Sequence, residues 1–85
     1  MGLKNHPLDS SGTALRLGDE VTVKRIPESL VRGLPDSDTH AINNCLGQSF
    51  KIAGFNDQGE AEIEFTDGEN EFHTIWIETS CLKKN

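Results

Sequence analysis

The sequence predicts a mainly β fold: a small, partly open barrel of about five antiparallel strands with one short helix in the long loop after the first strand. Three observations carry this expectation. Residues 48 to 77 hold three runs with strand periodicity. Two turn segments, one ending in glycine and one carrying it, separate those runs. Upstream, a Val-x-Val strand is parted from them by a stretch rich in Pro, Gly and Asp.

The strands follow from alternation. Glu20 to Ile26 supplies the first, with Val21 and Val23 turned inward, and Pro27 ends it because proline has no N–H for a ladder. The run from Gln48 to Phe55 carries Phe50, Ile52 and Phe55. Glu60 to Thr66 alternates strictly, with Ala61, Ile63 and Phe65 on one face and Glu60, Glu62 and Glu64 on the other, as a half-buried strand requires. Phe72 to Glu78 sets Ile75 and Ile77 against Phe72, Thr74 and Trp76. Asn56-Asp57-Gln58-Gly59 and Thr66-Asp67-Gly68-Glu69-Asn70 close the two hairpins.

The remaining elements are short. Pro27 to Val31 predicts one helical turn, with proline at a first helical position and Gly33 breaking it. After Leu34-Pro35, the acids Asp36 and Asp38 favour a helix N-terminus, and the helix is expected to reach about Cys45. Gly47 stops it. Ala41, Ile42, Cys45 and Leu46 recur at helical spacing and give it one apolar face. A 3₁₀ turn is expected at Thr79 to Cys81, with Leu82 closing the core on a last short strand. Residues 1 to 13 have tail composition and are expected to be a disordered N-terminal tail, leaving residues 14 to 85 as the domain.

Size and charge narrow the function classes. A chain of 85 residues removes only roughly 60 to 65% of its unfolded surface from water, enough for one thin core and too little for a deep enclosed active site. The net charge of −6 lies entirely in residues 56 to 85, which hold eight acids and two bases, whereas residues 1 to 55 balance at six of each. An acidic sheet opposes the phosphate neutralisation on which duplex binding rests. No apolar run is long enough for a membrane span, and the N-terminus lacks the apolar core of a secretion signal. Two cysteines without such a signal predict reduced thiols in a cytoplasm.

No catalytic or cofactor motif stands out. His6, His40, His73, Cys45 and Cys81 include no pair two to four residues apart, so no zinc knuckle is expected, and no metal or other cofactor. His40 and Cys45, five apart, do not share a helix face, and a Cys on an apolar helix side packs as a small hydrophobe. Neither a Gly-x-Ser-x-Gly elbow nor a glycine-rich phosphate loop is present. Trp76 is singled out instead. With Ile75 and Ile77 inward, alternation turns Trp76 outward beside Phe72, either as a contact surface or under the long loop.

The order strand, helical loop, three strands, 3₁₀ turn, strand resembles the SH3-like barrel, in which Gly-Asp before a Val-x-Val strand and a Leu after the last turn are common. More finely, Leu34-Pro35, Cys45-Leu46-Gly47, Phe50-Lys51-Ile52, Asp57-Gln58-Gly59, Glu60 to Phe65, His73-Thr74-Ile75-Trp76-Ile77 and Leu82 are similar to segments of small bacterial single-domain proteins of that fold. The resemblance spans residues 15 to 82 and implies a fold, with no activity attached. The resulting expectation is a cytoplasmic, monomeric, non-enzymatic module that binds another protein through Phe72, Trp76, Glu62 and Glu64, without nucleic acid or membrane. Two alternatives stand beside it. One is a Tudor- or KOW-like nucleic-acid module, for which Lys24, Arg25, Arg32, Lys51, Lys83 and Lys84 would have to converge; the other is an accessory subunit of a larger enzyme.

Overall fold

The computed structural model describes residues 7 to 85. Strand β1 (Glu20–Val23) is followed by a single helical turn, α1 (Glu28–Val31), and a two-turn helix, α2 (Asp36–Asn43). Strands β2 (Ser49–Phe55), β3 (Glu60–Thr66) and β4 (Phe72–Glu78) come next, then a 3₁₀ turn (Thr79–Cys81) and β5 (Leu82–Lys84). All pairings are antiparallel, in the order β4-β3-β2-β1-β5. β4 and β5 are the two edges and do not pair, so the sheet is open. This is the mainly β architecture the alternation predicts.

One core lies on one face of the sheet. Val21 and Val23 from β1, Ile52 from β2, Ala61 and Ile63 from β3, Ile75 and Ile77 from β4 and Leu82 from β5 are all buried, as their period of two requires. α2 lays Ile42 onto them, and Cys45, two residues past its end, packs beside it. Leu46, expected on the same helical face, is exposed instead. The helix ends at Asn43, two residues early, because Cys45 and Leu46 donate to carbonyls three residues back and Gly47 then leaves at φ 82°. β1 is also shorter than expected. Past Val23, only Lys24 N–H finds a strand-end partner, the Cys81 carbonyl, and the chain peels off toward Pro27.

β2 shows how an irregular sequence can fit a regular sheet. Phe50, Ile52 and Phe55 are two and then three residues apart, a spacing that strict alternation would split between faces. The register shifts by one between Ile52 and Gly54: Ile52 pairs with Ile63, whereas Gly54 pairs with Glu62 and Phe55 with Ala61. Ala53 is the extra residue of a β-bulge, which returns Phe55 to the core side. Gly54 is thereby placed on the outer face against Glu62, where an added Cβ would lie 2.9 Å from the Glu62 carboxylate.

Three loops share one construction. In Asn56 to Glu60 and Asp67 to Glu71 the first side chain accepts N–H bonds from positions two and four ahead, at 2.8 to 3.0 Å. The fourth residue takes the left-handed conformation, Gly59 in one and Asn70 in the other. Asp9 to Thr13 repeats this in full: Asp9 Oδ1 accepts from Ser11 and Thr13 N–H, Asp9 N–H donates to the Thr13 carbonyl, and Gly12 has φ 87°. The flanks of this loop bridge at Leu8 and Ala14.

For residues 7 to 13 the structure corrects the expectation of a disordered tail over residues 1 to 13. From residue 7 onward the chain is a miniature hairpin hooked to β5, with Ser10 N–H donating to the Leu82 carbonyl and Lys84 N–H donating to Asp9 Oδ2 at 2.7 Å. Asp9 is only 5% exposed. Residues 1 to 6 lie outside the described residues.

Candidate functional site

The four residues the sequence proposes for a contact surface, Phe72, Trp76, Glu62 and Glu64, all lie on the outer face of the β3–β4 hairpin. Strand register pairs Trp76 with Glu62, Thr74 with Glu64 and Phe72 with Thr66. Phe72 is 65% exposed and Trp76 38%. Across the sheet, Trp76, Glu62 and Gly54 form one row on β4, β3 and β2. Because Gly54 has no side chain, the row ends in a shallow trough over which the Glu62 carboxylate reaches, beside the tip of the Trp76 ring. Trp76 is thus half-covered at the margin of the sheet, an intermediate between the two alternatives the sequence left open.

β4 brings a second feature that alternation alone does not reveal. The Asp67 N–H bond to the Glu71 carbonyl and the Thr79 N–H bond to the Gly59 carbonyl fix the ladder's phase. With the β3–β4 register, they direct the backbone of His73, Ile75 and Ile77 toward β3 and that of Phe72, Thr74 and Trp76 away from it. Among the described residues the outward groups have no partner strand, since β4 ends the sheet. Beside this edge runs a cleft of about 360 Å³ that Leu30, Leu34 and Ile42 of the helical segment line opposite Thr74, Ile75 and Trp76. Asp38 and His73 lie at its margin. Unpaired strand, apolar wall and half-exposed tryptophan therefore adjoin.

At the other end of β4, the second hairpin loop gathers three potential metal ligands. One donor atom from each of Asp67, Glu71 and His73 lies within 4.8 Å of the others. The His73 ring stacks on Phe65, centroids 5.0 Å apart, and Phe65 in turn packs against Phe50 at 5.9 Å. With its proton on Nε2, His73 donates to Asp67 Oδ2 at 2.8 Å. That bond, with the Glu71 and Glu69 N–H bonds to Oδ1, holds the Asp67 carboxyl below its ordinary range despite some opposing desolvation. A search confined to His and Cys pairs passes over this set. The hairpin signal was enough to find it, because a loop closing at Asp67 and Glu71 puts them opposite each other with His73 two residues on.

Among the described residues the thiols show no nucleophilic arrangement. Cys45 and Cys81 are free and buried; burial pushes the Cys45 thiol up to about 11 and also raises Cys81. Cys45 Sγ donates to the Ala41 carbonyl. Neither thiol is therefore expected to react with a disulfide reagent in the native protein at neutral pH, and both should react once denaturant is added; rapid native-state labelling would contradict their packing.

The basic residues are partly matched by acids. Arg32 lies 3.8 Å from Glu28, Lys84 lies 3.6 Å from Asp19, and Lys51 stands opposite Glu20 in register. Among the described residues, no helix is long and apolar enough to cross a membrane. Comparison with protein-family models, curated proteins and solved structures gives no match.

Proposed function

We propose that this domain is a non-enzymatic protein-binding module that takes up an extended segment of its partner as an added strand on β4. The observation that carries this reading is the open β4 edge facing an apolar cleft beside Trp76. Outward N–H and C=O groups of Phe72, Thr74 and Trp76 offer main-chain bonds, and Leu30, Leu34 and Ile42 offer room for alternate side chains. The acids Asp38, Glu62, Glu64 and Glu78 around this strand select a partner segment carrying Lys or Arg among its apolar residues. The same acidity disfavours nucleic acid, as does the matching of Arg32 and Lys84 with carboxylates.

The test uses displayed random peptides and backbone amide NMR. Selected peptides are expected to alternate apolar and basic residues and to shift the Phe72, Thr74 and Trp76 amides. Thr74→Pro removes one outward N–H without touching the β3 ladder, as edge strands allow. It should abolish binding while leaving the fold intact. Selected peptides that shift amides elsewhere, or bind Thr74→Pro unchanged, would overturn the reading.

A further inference from the structure

We infer that Asp67, Glu71 and His73 form a binding site for a divalent transition-metal ion of the zinc class, at the loop end of β4. Their donor atoms lie within 4.8 Å of one another, and a closing shift of about 1 Å brings them to the roughly 3.4 Å spread that tetrahedral zinc bonds of about 2.0 to 2.2 Å require. The supporting shell is built as well. Asp67 is held through Oδ1 by two backbone N–H groups, which leaves Oδ2 directed at the imidazole. His73 is held by its stack on Phe65. Glu71 is exposed, yet its backbone is pinned to Asp67 in both directions. Asp67 and His73 are thus held before binding, and only the Glu71 side chain has to be ordered.

The donor chemistry selects the cation. One imidazole nitrogen and two carboxylates match the nitrogen and oxygen preference of zinc, and their two negative charges neutralise a divalent ion. Calcium takes six to eight oxygens and magnesium an octahedron of them, which three donors including a nitrogen do not supply. The imidazole is what separates this set from Glu60, Glu62 and Glu64, which offer carboxylates alone. In binding, the metal takes the place of the proton between His73 Nε2 and Asp67 Oδ2; that proton moves through water to Nδ1, so that the ring stays neutral and Nε2 is free to ligate. A fourth position falls to water from the adjoining cleft of about 300 Å³, which Ser37, Asp38 and His40 of α2 line from the far side.

The experiment is calorimetric titration of the tag-free protein with zinc chloride, paralleled by the visible absorption of bound Co²⁺. One zinc per chain is expected. Glu71→Gln, at an exposed side chain, and His73→Gln should each weaken binding by more than about tenfold, the lower end of what loss of even an outer-shell partner costs a metal site. Glu62→Gln, on the outer face, should leave it unchanged. Circular dichroism of each variant separates loss of ligand from loss of fold, and Glu71→Gln keeps the test valid if His73→Gln unfolds. The ring nitrogen signals of His73 should shift on zinc addition. No zinc uptake by the wild type, or full affinity in Glu71→Gln with an unshifted His73 ring, would overturn the assignment.

Discussion

Asp9→Ala is expected to destabilise the domain by about 3 kcal/mol, an effect out of proportion to a residue near the chain's start. The Asp9 carboxylate accepts N–H bonds from Ser11, Thr13 and Lys84 and a hydroxyl bond from Ser11, all at 2.7 to 2.9 Å. Hydrogen bonds to a charged group are worth roughly 1.5 to 3 kcal/mol each, and part of that sum is regained when water reaches the loop. The Lys84 bond matters most, because it ties the N-terminal loop to β5, the shortest strand and one edge of the sheet. For a chain of this size the loss lowers the melting temperature by well over about 10 °C. Asp9→Asn should cost roughly half as much, since one oxygen still serves the loop while an amide N–H confronts that of Lys84. Calorimetry of both variants decides the matter, and an unchanged melting temperature in Asp9→Ala would mean that the loop does not hold β5.

The same carboxylate sets an acid limit. Burial opposes its ionisation, but the bonds from Lys84, Thr13 and Ser11 outweigh burial and lower its pKa from 3.8 to about 2. A group depressed on folding contributes stability that is fully present above its unfolded value and is lost as pH falls through the folded one. The loss therefore falls between about pH 4 and 2, and Asp67 adds to it in the same direction. Asp9→Ala should flatten this part of the stability curve.

The N-terminal hook also shows where a sequence stops being legible. Its signature, an Asp or Asn followed three residues later by Gly, is also that of Asn56 and Gly59, and the Asp67 loop differs only in having Asn at the last position. Those two loops stand out because long alternating strands flank them. The first has only Leu8 and Ala14 to pair, so no periodicity announces it. The two hairpin pairings, β2 with β3 and β3 with β4, follow from alternation and turn chemistry, whereas those of β1 with β2 and β5 join segments that no turn links; the β2 bulge is implicit in the odd spacing of Phe55. What local pattern cannot supply is the seat of the helical segment. Leu30, Leu34 and Ile42 make a cleft only because α1 and α2 pack beside β4, and residue spacing carries no record of that placement. The outward position of Trp76 was readable; the trough at Gly54 was not, since it depends on a register shift in a strand two places away.

Trp76→Ala is expected to separate binding from folding, and Ile75→Ala makes the comparison sharp. The two residues are neighbours on one strand with opposite surroundings: Ile75 is 5% exposed in the core, and Trp76 is 38% exposed beside Gly54 and Glu62. Truncating Ile75 leaves a cavity among packed side chains and should cost about 2 to 5 kcal/mol of stability. Truncating Trp76 removes more atoms but opens a space that water enters freely, so no closed cavity forms. Its stability cost should stay near 1 to 2 kcal/mol, below the roughly 3 to 5 of a buried tryptophan. Binding should respond in the opposite order. A half-covered tryptophan beside an unpaired strand and a carboxylate is the kind of anchor whose loss costs about 2 kcal/mol or more, a drop of about thirtyfold in affinity for the peptides selected on β4. Because Trp76 is the sole tryptophan, its fluorescence reports the same surface in the wild type, and its emission should shift on peptide binding. A Trp76→Ala protein that fails to unfold cooperatively, or one that binds the peptides at full strength, would remove Trp76 from the surface and leave the main-chain edge as the sole recognition element.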